Sequence, residues 1–78
     1  MNIENINFEI VKEKLRGVYC IKNLEGMDIA EVGDILGLFE DMLGPSERWD
    51  LINIIEDIGL IKKRNNKGTF TYYEILIK

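Results

Sequence analysis

Histidine is absent from this 78-residue chain, and cysteine, proline, serine and tryptophan each occur once, as Cys20, Pro45, Ser46 and Trp49. One Cys and no His cannot supply the four ligands of a structural zinc site. The same shortage rules out a Cys–His or Ser–His nucleophilic pair, because Ser46 has no base of the right kind to activate it. A lone cysteine also excludes the disulfide framework that staples small secreted domains. No run approaches the roughly 18 apolar residues of a membrane span. The stretch Met1-Asn2-Ile3-Glu4-Asn5 carries acid and amide groups where a signal peptide needs positive charge. A cytoplasmic protein without membrane contact, cofactor, metal or enzymatic activity is the expectation.

Length bounds the rest. A chain of 78 residues makes one domain spanning 1–78 with a thin core. It has 46% hydrophobic and 31% charged residues, with no low-complexity tract, so a globular fold is expected. A domain this small can draw stability from a partner or from self-association, and a homodimer is one possibility.

Periodicity predicts three helices and a strand pair. Phe8, Val11, Leu15, Val18 and Ile21 or Lys22 recur at helical spacing, predicting a helix over about 7–23 with Asn7 as N-cap and Glu9 in the first turn. Gly17 weakens a helix interior by about 1 kcal/mol relative to Ala. The alternative is therefore a break there, with Val18-Tyr19-Cys20-Ile21 as a short strand. A second helix is predicted over about 28–43, from the capping-box spacing of Asp28 and Glu31 and the stripe Ile29, Val32, Ile35 or Leu36, Phe39 and Met42 or Leu43. Gly33 and Gly37, four apart, either admit a close helix or simply weaken this one. Gly44-Pro45 ends it, Gly44 serving as a left-handed cap.

Ser46 is the expected N-cap of a third helix over about 46–58. Leu51, Ile54, Ile55 and Ile58 form its buried stripe, and Trp49 lies outward beside Asn53 and Glu56. Gly59 closes it. From there the period becomes two, predicting a hairpin over about 60–77 with Asn65-Asn66-Lys67-Gly68 as its loop. On the second strand Tyr73, Ile75 and Ile77 share one face, and Phe70, Tyr72, Glu74 and Leu76 the other.

This order of elements resembles the winged helix-turn-helix superfamily. Leu43-Gly44-Pro45-Ser46 looks like the turn between its second and third helices, and Ile55-Glu56-Asp57-Ile58-Gly59-Leu60-Ile61 like the passage from third helix into wing. Lys62 to Gly68 corresponds to the wing and Tyr73-Glu74-Ile75 to the returning strand. The resemblance covers about 28–78, with a second helix that looks long and a third that looks short. It implies an α+β fold: a three-helix winged helix-turn-helix with a C-terminal hairpin wing. It also implies a third helix that reads the major groove and a wing on the DNA backbone.

Charge divides that implication. Residues 28–57 hold nine acids and one base, Arg48, hence a net of −8 across the elements that should face DNA. Phosphate affinity comes from Lys and Arg, so this opposes ordinary major-groove docking. The wing carries Lys62, Lys63, Arg64 and Lys67, with Phe70 and Tyr72 alternating opposite. These six are the candidate nucleic-acid contacts, unless the lysines merely protect a sheet edge. Ser46, Arg48, Trp49 and Asn53 are the candidate third-helix contacts, although Trp49 could instead fold back over the second helix. Asp34, Asp41, Asp50, Glu56 and Asp57 are candidate protein contacts. Cys20 suits a small buried hydrophobe. The first expectation is a transcription-regulator-like DNA-binding module acting through its wing. The alternative is an acidic module that docks on, or inhibits by charge mimicry, a basic nucleic-acid-handling protein.

Overall fold

The computed structural model describes residues 6–64 and 70–77. In chain order these form α1 (Phe8–Arg16), β1 (Ile21–Lys22), β2 (Asp28–Glu31), α2 (Val32–Gly37), α3 (Pro45–Asp57), β3 (Ile61–Arg64) and β4 (Tyr72–Ile75). The described residues thus make an α+β fold of three helices and a four-stranded antiparallel sheet in the order β1-β2-β4-β3.

Helix α1 starts where expected. The Asn7 side chain accepts a hydrogen bond from the Glu9 N–H at 2.9 Å, satisfying a donor that the first turn leaves open. It does not reach residue 23. The Gly17 and Val18 N–H groups bond back three residues, to Lys14 and Leu15, which tightens and ends the helix. The break at Gly17 is therefore the correct alternative, and the strand that follows lies at Ile21–Lys22.

The segment after it contains a hairpin that periodicity did not predict. The Asn23 side-chain oxygen accepts from the N–H groups of Glu25 (3.0 Å) and Met27 (2.8 Å), and Gly26 takes φ +78°. This side-chain-stabilised turn folds Asp28–Glu31 back onto β1.

A helix over 28–43 is accordingly overturned. Its first four residues form β2, which pairs with β1 on one side and β4 on the other, with Ala30 opposite Tyr73. Between-strand hydrogen bonding on both edges outweighs a capping-box spacing. Asp28 caps nothing and instead meets Lys22 at 2.6 Å. Only Val32–Gly37 is α-helical, and 38–42 continue as turns closed by bonds such as Phe39 N–H to Leu36 C=O. Among the described residues no neighbouring helix exploits the small residues: space for a Cβ is open at Gly37 and is met only by the Glu31 carboxylate at Gly33.

Helix α3 begins one residue before the expected N-cap. Gly44, in extended and not left-handed conformation (φ −74°), is the N-cap and Pro45 is the first helical residue, where its missing N–H costs nothing. Glu47 reaches back to the Gly44 N–H at 3.4 Å. At 13 residues α3 is longer than α2 at six, the reverse of the predicted lengths. Its buried face is Leu51, Ile52 and Ile55, rotated from the predicted stripe, and Ile58 is 55% exposed. The end is as expected: Gly59 (φ +86°) lets its own N–H bond Glu56 C=O and the Leu60 N–H bond Ile55 C=O at 2.9 Å.

The main core is apolar throughout. Val11 and Leu15 of α1, Ile35 and Phe39, and Leu51, Ile52 and Ile55 of α3 pack with Ala30, Ile61 and Tyr73 from one sheet face. Tyr73, Ile75 and Ile77 lie on that side as predicted, with Leu76 exposed. No helix among the described residues is long and apolar enough to cross a membrane.

Candidate functional site

Every third or fourth residue of α3 faces outward. Ser46, Trp49, Asp50, Asn53 and Asp57 are exposed, whereas Glu56 is half-buried. Trp49 leaves 49% of its surface open. Arg48, the base that a DNA-reading helix would present, turns the other way. It is half-buried, and its Nε has no hydrogen-bond partner among the described residues. Of the predicted third-helix contacts, Ser46, Trp49 and Asn53 are thus exposed, and Arg48 is half-buried. Two acidic candidates, Asp50 and Asp57, are exposed on the same helix.

The other acidic candidates lie elsewhere. Asp41 sits in the turn after α2, where Lys14 of α1 meets it at 3.5 Å. Asp34 is exposed on α2. Glu56 lies near Tyr73; burial, and secondarily the Glu56 charge, push that phenol above its ordinary pKa.

The hairpin divides its predicted contacts. Strand register puts Lys62 opposite Glu74 and Arg64 opposite Tyr72, so these four side chains share the sheet face away from the core. The expected interleaving of basic and aromatic groups is present at Lys62, Arg64 and Tyr72, but Glu74 lies within it. Arg64 donates to Glu74 from Nε at 2.9 Å and also from its terminal nitrogen, so its charge is compensated internally. Lys62 and Lys63 are exposed, and neither makes an ion pair among the described residues. Phe70 precedes β4 and is 57% exposed. Lys67 lies outside the described residues.

A third feature was missed altogether. Tyr19, Ile21, Ile29, Glu31, Asp34 and Tyr72 surround a recess on the outer sheet face. Period-two alternation at Tyr19-Cys20-Ile21 and the turn residues Asn23 and Gly26 are the signal for the β1–β2 hairpin that builds it. On the opposite side of that hairpin Cys20 is half-buried. Burial chiefly raises its thiol pKa; Asp28 raises it further, and Lys22 partly opposes this. Among the described residues, no group of three or more His, Cys, Asp or Glu could hold a metal ion.

Comparison with protein-family models, with curated proteins and with solved structures finds no match.

Proposed function

We propose that this chain is a small winged-helix-like protein-binding module whose α3 lays Trp49 and its flanking carboxylates on a basic, nucleic-acid-handling protein. The observation that carries this reading is the composition of one helix face. Ser46, Trp49, Asp50, Asn53 and Asp57 are exposed together, and Arg48, the helix's only base, faces elsewhere. Such a face repels phosphate. It complements a cationic protein surface, where opposite charge steers encounter and a large aromatic anchors the complex. The helices α2 and α3, joined through residues 38–44 and followed by the antiparallel pair β3 and β4, support the winged-helix comparison. A binding role rather than catalysis fits a chain with no histidine and a single serine.

One observation favours a second reading. Lys62 and Lys63 stand exposed on an edge strand, a surface suited to a nucleic-acid backbone. Internal pairing of Arg64 leaves that surface weaker than its sequence implied. Photo-crosslinkers placed at positions 49 and 63 in the producing cell separate the readings. Protein-binding through α3 predicts a basic protein crosslinked from 49 and no nucleic acid from 63. Nucleic acid recovered from 63, with nothing from 49, supports the wing reading and contradicts the first.

A further inference from the structure

Alternate residues of a strand point to opposite sheet faces. With Ala30 and Tyr73 in the core, Ile21, Ile29, Glu74 and Lys62 line up across the outer face, and Glu31, Tyr72 and Arg64 form the next row. Ile29 is only 7% exposed yet is not part of the main core. It is the floor of the recess walled by Tyr19, Ile21, Glu31, Asp34 and Tyr72, with a volume of about 90 Å³. Sites for whole small molecules start near ~300 Å³. The recess is small and suits the head of one side chain better than a whole nucleotide or organic cofactor.

Its chemistry selects the charge of that head. Glu31 and Asp34 make no ion pair among the described residues, and Tyr19 leaves 71% of its surface open beside them. The nearby base, Arg64, lies opposite Tyr72 and is engaged by Glu74. Two carboxylates repel an anion, whereas aromatic faces attract a cation. A planar guanidinium satisfies both, since it stacks on a ring while its N–H groups donate to carboxylate oxygens. Its aliphatic stem can cover Ile21 and Ile29.

We propose that this recess binds an arginine side chain of a basic partner polypeptide. The site shares no residue with the α3 face and stands or falls separately from it.

Titration of the full chain with N-acetyl-arginine amide, followed by amide resonances in two-dimensional NMR, tests the assignment, with N-acetyl-citrulline amide as its uncharged counterpart. Saturable shifts should centre on residues 19, 21, 29, 31, 34 and 72 and weaken with salt. Citrulline should bind about tenfold more weakly or less, the factor expected from losing one charge-assisted hydrogen bond. Asp34→Asn and Tyr19→Ala, both at exposed positions, should each weaken binding, and Trp49→Ala should leave it unchanged. Equal response to citrulline, shifts spread over all surface carboxylates, or indifference to Asp34→Asn and Tyr19→Ala would overturn the proposal.

Discussion

Gly37 and Gly59 both stand at the ends of helices, yet replacing them should have opposite effects. Space beside each is open, so neither substitution meets a clash. Gly37 lies within helical backbone, and Gly37→Ala should stabilise the fold by about 0.5–1 kcal/mol through reduced freedom of the unfolded chain. Gly59 holds φ +86°, where an L side chain is disfavoured, and Gly59→Ala should cost about 1–2 kcal/mol. In thermal denaturation the two melting temperatures should move in opposite directions from the parent. Tyr73 gives a pH test at the same scale. Its raised pKa means that the folded chain keeps the phenol proton to higher pH than the unfolded chain does. Stability from this group is complete below the ordinary tyrosine value of about 10 and declines as pH rises through the folded value. Urea titrations at rising alkaline pH should show this decline in the parent and a smaller one in Tyr73→Phe.

The short strand β2 is the element on which the prediction and the fold part company. Ile29, Val32, Ile35 and Phe39 fit a helical stripe, and Asp28 with Glu31 fits its start, so residues 28–31 looked like a first turn. What decides otherwise is non-local: β4, more than 40 positions along the chain, supplies the pairing partner. A period of two over four residues cannot compete on paper with a period of 3.6 over sixteen. Elements whose signals are local were legible, including the Asn7 cap, the Gly59 stop, and the alternation that sets Tyr73 and Ile75 on one strand face and Tyr72 and Glu74 on the other. The same division holds for the candidate site. Helical phase alone turned Trp49 and Asn53 outward, whereas the recess needs a strand register that no local pattern gives. Ala30 tests the strand directly, because it lay off the helical stripe but is 1% exposed opposite Tyr73. Ala30→Leu should destabilise by roughly 1–3 kcal/mol by overpacking the core. A near-neutral result in chemical denaturation would argue that Ala30 faces solvent.

Across the molecule, charge is distributed less simply than the sequence implied. The formal net charge is −4, but Arg64, Lys14, Lys22, Lys12 and Arg16 are all engaged with carboxylates of the same chain. Apart from the part-buried Arg64–Glu74 pair these are largely exposed, and exposed pairs contribute little to stability, typically about 0–1 kcal/mol each. Their larger consequence is for recognition, since they withdraw positive charge from the surface. Asp50 and Asp57 on α3 have no such partners among the described residues. Trp49, the chain's single tryptophan, is exposed on the same helix and serves as an intrinsic reporter. Its emission should respond to whatever covers that face. At low salt, an arginine-rich peptide should shift Trp49 emission to the blue, and Asp50→Asn combined with Asp57→Asn should diminish the response. A random-sequence DNA duplex should leave it unchanged. A shift produced by the duplex, with none from the peptide, would contradict protein recognition through α3.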